Sequence, residues 1–156
     1  CFGVDLLYPG LVLEIDAMAF KSRHERIKME PALGSSYDGN FADAISANEE
    51  TWVGGQEPWD DSGNLLCEGD NPGQVKAVFD KLQKVLQESG LTVNDIVKLN
   101  LFFVTDNDDI SNDFHCALNI WKNFAPNSNP AMTAVRAYEL SHPGVSIQAD
   151  CIAIKR

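Results

Sequence analysis

The sequence is short of several features, and each absence narrows what the protein does. No apolar run approaches the roughly 20 residues that a membrane-spanning helix needs. The first 20 residues carry Asp5, Glu14 and Asp16 where a secretory signal peptide stays uncharged. Positive charge is scarce: 12 Lys and Arg against 23 Asp and Glu give a formal net charge of -11. That balance repels a phosphate backbone and argues against a nucleic-acid partner. The four cysteines, Cys1, Cys67, Cys116 and Cys151, lie far apart with no CxxC pair, so neither a zinc cage nor a disulfide framework is indicated. The expectation is a soluble cytoplasmic protein, free of membranes, with no metal and no cofactor.

What is present suffices for one ordinary domain with a real core, because 156 residues with 44% apolar content are not the composition of a disordered chain. Asn71 and Pro72 read as an N-cap and first helical residue. Val75, Val78, Phe79, Leu82, Val85 and Leu86 follow at helical spacing as far as Gly90. Ile96 to Val104 is rich in β-branched and aromatic residues and runs into the turn-forming TDNDD stretch, so it reads as a buried strand. Asp108 or Asp109 can cap a second helix whose Ile110, Phe114, Ala117, Leu118 and Trp121 share one face before Pro126. Two strands are expected near 131–139 and 145–154. The order predicts an α+β domain with helices on one face of a mixed sheet. Residues 21–40 mix charge, Pro, Gly and Ser and read as a surface connection with His24 solvated.

An internal repeat accompanies this order. LLYPGLVLEIDAMAF at 6–20 lies over LSHPGVSIQADCIAI at 140–154, with Leu, Pro-Gly, Asp and Ala in common. Each copy reads as the closing strand of one fold, with Asp16 and Asp150 at equivalent positions. The expected organisation is therefore closing strands of a first domain at 1–20, a connection at 21–40 and a complete domain at 41–156.

TWVGGQ at 51–56, the helix at 72–90 followed by LTVNDIVKLNLFFVTD, and NPAMTAVRAYEL at 129–140 together resemble the Rid family, the reactive-intermediate deaminases that handle small imine and enamine metabolites. The resemblance covers about three quarters of the chain and implies a chorismate-mutase-like, six-stranded sheet with two helices. It also implies a trimer, or a pseudo-trimer of fused domains, with sites in clefts between subunits. Active members hold a substrate carboxylate with an arginine in the PAR strand, where a planar guanidinium forms a bidentate pair. Here that position is Met132, and Arg136, four residues along on the same strand face, is an imperfect substitute. The family's water-positioning acid is matched by Asp150, and its tyrosine near the first strand becomes Phe41. These substitutions suggest that the second domain's own site does not run the family's usual reaction.

Residues 1–20 align without gaps to the family segment that begins at a site cysteine, so Cys1 falls on that cysteine and Asp16 on the acid. The chain begins with Cys rather than Met, which leaves two readings open: Cys1 is simply a fragment boundary, a buried free cysteine, or a tandem precursor is cut before Cys1. Its thiol would be the nucleophile and its α-amine the base, because both groups titrate near neutrality. An amide or ester carbonyl would be attacked, Asp16 would orient the substrate, and an upstream fragment of the precursor would complete the site. Two other readings stay open: an imine or enamine deaminase in which Asp16 or Asp150 positions water, and a non-catalytic ligand-binding or assembly subunit. Partners are then a small molecule and further copies of the chain. Cys67, Cys116 and Cys151 read as structural or incidental, and His115 and His142 lack sequence partners for catalysis. Trp59, in a polar loop, is the one aromatic that invites a binding role.

Overall fold

The computed structural model describes residues 17–19, 21, 23–27, 41–105 and 110–155. Six strands and two α-helices follow in the order β1 (His24–Ile27), β2 (Ala44–Ala47), β3 (Glu50–Gln56), α1 (Asn71–Glu88), β4 (Ile96–Val104), α2 (Ser111–Phe124), β5 (Ala131–Ala137) and β6 (Ile147–Ile154). The strands make one sheet of order β1-β2-β3-β6-β4-β5. β4 and β5 pair in parallel, and every other pair is antiparallel. The parallel pair needs a crossover, which α2 supplies.

The helix α1 forms where its apolar stripe demands it. Val75, Val78, Phe79, Leu82, Val85 and Leu86 are all buried, at the spacing that puts them on one side of an α-helix. Its N-cap is Asp70, one residue earlier than the sequence suggests: Asp70 Oδ1 accepts from Gly73 N at 3.1 Å, and Asn71 and Pro72 are the first helical residues. Pro72 is tolerated there because the first-turn N–H groups have no helical partner. Gly90 ends the helix at φ +71, a left-handed backbone that lets Leu91 N reach Leu86 O at 2.9 Å. A single buried side chain ties α1 to the entry of β6. Gln74 donates to Gly144 O at 2.9 Å and accepts from Ser146 N at 2.8 Å, so its burial is compensated.

In α2 the expected stripe holds, with Ala117 and Trp121 buried. The cap differs: Ile110 precedes the helix without a side-chain cap bond, and Asp108 and Asp109 lie outside the described residues. Two strands come out slightly shorter than read, at Ala131–Ala137 and Ile147–Ile154.

One correction is larger. Within the stretch read as a connection, His24–Ile27 is a strand at the edge of the sheet, with His24 opposite Ala47 and Ile27 opposite Ala44. Only Ile27 of the four is buried, so an edge strand of this kind carries almost no apolar pattern to read. Of the first copy of the repeat only Ala17, Met18 and Ala19 are described, exposed and outside any strand; Asp16, and Cys1 before the copy, lie outside the described residues.

Register shows how the sheet's two faces differ. Residues paired across neighbouring strands point the same way. One row runs Ile27, Ala44, Val53, Cys151, Leu99 and Met132. These residues belong to the core under the helices or pack against it, so both helices cover this face. The neighbouring row, Arg26, Ile45, Trp52, Ile152, Lys98 and Ala131, points to the other side. There a small second cluster of Phe102, Ala137, Leu140 and Val145, with Trp59 and Leu65, covers one end, and no helix among the described residues lies over the rest.

Candidate functional site

Asp150 lies on the open face, half-buried on the central strand β6. Its register partner on β4 is Asn100, whose Nδ2 donates to Asp150 Oδ1 at 2.7 Å. On its other side β3 bulges: Val53 pairs with Cys151 and Gln56 with Ala149, so Gly54 and Gly55 together stand opposite Asp150. Two consecutive glycines suit a bulge and leave no side chain over the carboxylate. A cavity of about 370 Å³ results, lined by Asp150, Asn100, Trp52, Ile45, Gly54 and Gly55 among others.

The glycine at the second bulge position is required by its neighbour. A Cβ on Gly55 would fall 1.6 Å from Gln148 Nε2, because the Gln148 side chain is folded across that backbone. Trp52 forms one wall, with its indole N–H donating to Glu50 Oε2 at 3.0 Å.

Burial pushes the Asp150 carboxyl above its ordinary range, opposed by the Asn100 hydrogen bond and by the positive charge of Lys98. Lys98 lies on the same face and donates its ammonium to Thr133 Oγ1 on β5. A carboxyl whose pKa is raised by a partly dry site is a better proton acceptor than a solvated one. The adjacent Cys151 is different in kind: it points into the helix-side core, and burial pushes its thiol well up, which suits packing rather than nucleophilic chemistry.

The structure brings some of the expected site residues together and separates others. Met132 pairs with Leu99 and packs against the core under the helices, on the face opposite Asp150. Arg136, paired with Phe103, shares that face; its Nη2 donates to Thr105 O at 3.4 Å and its guanidinium lies 5.8 Å from the Tyr138 ring centroid. Within one chain neither reaches Asp150. Phe41 is 65% exposed and next in sequence to Ala42, which lines the cavity. Cys1 and Asp16 lie outside the described residues.

The remaining candidates lie away from this cavity. Trp59 packs in the second cluster, donates to Glu57 Oε2 at 2.9 Å and meets the His142 ring edge-on. Cys67 sits in a loop and Cys116 on α2. Among the described residues no group of three or more His, Cys, Asp or Glu side chains is placed to hold a metal ion. No helix among them is long and apolar enough to cross a membrane. Asn100 and the Gly54–Gly55 bulge were not singled out from the sequence. Each carries a signal there: a lone amide within the apolar run IVKLNLFFV, and paired glycines inside a strand.

The chain matches the family model described as Endoribonuclease L-PSP over residues 34–155. It belongs to that family. The L-PSP domain is 34% identical over 127 residues to the mitochondrial protein mmf1 of Schizosaccharomyces pombe, covering 80% of this chain and 73% of that protein. It is 30% identical to a RutC family protein of Pyrococcus abyssi, covering 75% of this chain and 87% of the relative. Among solved structures, a Rid-family protein of Yersinia pestis superimposes with a TM-score of 0.72 at 25% identity, over 85% of this chain and 99% of that one. The L-PSP domain is thus the Rid fold expected from the sequence, a six-stranded mixed sheet with two helices.

Proposed function

We propose that the L-PSP domain is a small-molecule site of the Rid type, in which Asp150 positions a water for attack on the carbon of an imine. Water adds across the C=N bond, the carbinolamine collapses, and a carbonyl compound and ammonia leave. The observation that supports this reading is the half-buried carboxylate of Asp150, fixed by Asn100 and facing a cavity opposite a glycine bulge. Asp150 would accept the proton that water loses and return it to the departing nitrogen, with Asn100 holding the carboxylate in place through both steps.

The description of the family as an endoribonuclease is not the reading that charge favours. A formal charge of -11 opposes association with RNA. The alternative built on Cys1 and Asp16 draws on residues outside those described, and the relatives lend it no support. A binding-only role has one specific observation in its favour, the presence of Met132 where active relatives carry arginine.

Because Met132 and Asp150 face opposite sides of one sheet, a cleft that unites these two positions takes one from each of two copies. A homo-oligomer, the trimer implied by the family resemblance, fits that requirement. A mitochondrial location, as in the name of the fission-yeast relative, is as compatible with this reading as a cytoplasmic one.

The test is ammonia release from an imine generated in place by an amine oxidase, with wild type beside Asp150→Ala. The expected outcome is acceleration by wild type and a fall of about 100-fold in the variant, the usual weight of a positioned general base. Equal rates for wild type and buffer across amine-derived and amino-acid-derived imines would leave the binding-only role.

A further inference from the structure

Beyond its bulge, β3 has little of the ladder to fix its register. From Glu50 to Val53 it makes four consecutive pairs with β6, whereas past the two glycines only Gln56 is paired, with Ala149. Glycine-rich strands specify register weakly. Continuing the first register without the bulge would set Gly54 opposite Asp150, Gly55 opposite Ala149 and Gln56 opposite Gln148. One glycine rather than two would then face the carboxylate, and the bend that shapes the cavity wall would be lost. Gln56, fully buried on the helix side of the sheet beside Ala149, would turn to the opposite face.

Side chains hold the bulged register instead. Gln56 Nε2 donates back across the bulge to Gly54 O at 3.1 Å. The next residue, Glu57, is 6% exposed. Its carboxylate accepts three hydrogen bonds: from Trp59 Nε1 at 2.9 Å, from Ser141 N at 3.3 Å and from Ser141 Oγ. Ser141 belongs to the connection that leads from β5 into β6, so these bonds tie the exit of β3 to the segment that delivers Asp150. In the bulge-free register Glu57 would stand opposite Ile147, a residue of the core under the helices. A carboxylate there would lose these donors and be desolvated, at high cost. A buried charge adds little net stability, and its best-attested use is to specify one arrangement against another.

We propose that Glu57 is a positioning residue: through Ser141 and Trp59 it fixes the register of β3 beyond Gly54 and Gly55, and so keeps both glycines opposite Asp150. Glu57 is not among the residues that line the cavity, and it acts on the site only through the strand. Register is read without substrate. The activity readout alone rests on the reading of Asp150 as the working carboxylate.

The experiment is ¹⁵N NMR of the full chain, reading the Gly54 and Gly55 amides in wild type, Glu57→Ala, Glu57→Gln and a core-destabilised control, Phe79→Leu. The expected result is a second set of glycine signals in Glu57→Ala, with a cross-strand contact between Gly54 and Asp150, and a single set in the other three. Glu57→Gln keeps an acceptor for Ser141 and so rescues the register. In the imine assay kcat of Glu57→Ala is expected to fall at least twofold, in proportion to the second population, with KM unchanged. Unchanged glycine signals in Glu57→Ala would overturn the inference, as would the same second set in Phe79→Leu. Should Glu57→Ala fail to fold, Ser141→Ala removes one of the three bonds and is expected to show a smaller second set; unchanged glycines there would overturn the inference too. A second set in Glu57→Ala with no turnover by wild type keeps the register assignment and removes the catalytic reading. An unchanged kcat beside a populated second set overturns the link from register to site.

Discussion

On the helix side of the sheet a row of six residues from Ile27 to Met132 crosses every strand without a charged group, and two helices close over it. On the other side the neighbouring rows set Arg26, Lys98, Asn100 and Asp150 among Ile45, Trp52 and Ile152, and these side chains stay half-buried or exposed. The same strands supply both faces, so alternation along each strand divides the labour. One set of positions excludes water and holds the fold together. The other leaves the Asp150 carboxylate half-buried, where desolvation raises its pKa.

That division can be broken most severely from the closed side. Phe79, fully buried and edge-on to Trp121 at 5.0 Å, is expected to cost about 3–5 kcal/mol when replaced by alanine, as read by urea denaturation. On the open face Ile45→Ala should cost about 1 kcal/mol. Comparable losses would mean that the open face is a core in solution, covered by another copy.

Gly55→Val tests the bulge. The new side chain must displace Gln148, at about 1–3 kcal/mol for overpacking, and fills the cavity beside Asp150. A denaturant midpoint should fall moderately while ammonia release from imines is lost.

The carboxylate sharpens the comparison through pH. Folding raises the Asp150 pKa, chiefly by burial, so between the ordinary carboxylate value and the raised one the folded state holds more protons than the unfolded chain. Stability from this group is then present at low pH and lost as pH rises through that window. Asp150→Asn removes the loss, so its melting temperature relative to wild type should climb as pH rises through the window, even as activity disappears.

The smallest effect belongs to Lys98→Met. It should change stability by about 0.5 kcal/mol or less, as exposed charges do, while moving the activity profile of Asp150 to higher pH, because Lys98 lowers that pKa.

Much of the closed face was legible in the sequence, because the apolar stripe of α1 and the run from Ile96 to Val104 are long, regular signals and their bounds hold within a residue or two. The strand at His24–Ile27 was not, since an edge strand with one buried residue has no pattern to detect. Asp150 was singled out by the resemblance and by the internal repeat, and its place on the open face follows from alternation along β6. Its separation from Met132 was not: alternation says which residues share a side of one strand, whereas the register between β5, β4 and β6 decides which sides coincide. Asn100 joins the site for the same reason, by standing opposite Asp150 across a pairing fifty residues apart.

The placement of β6 reaches beyond the site to the way the domain is made. It is the last of the described strands in the chain, yet it stands in the middle of the sheet, between β3 and β4. During synthesis the two halves of the sheet therefore have nothing to join them until residues 147–154 emerge from the ribosome. A growing chain that exposes β3 and β4 edges in the meantime has reason to be held by a chaperone. A frameshift or nonsense change just before Ile147 would remove the seam of the whole sheet, leaving a product for proteolysis rather than a shortened protein.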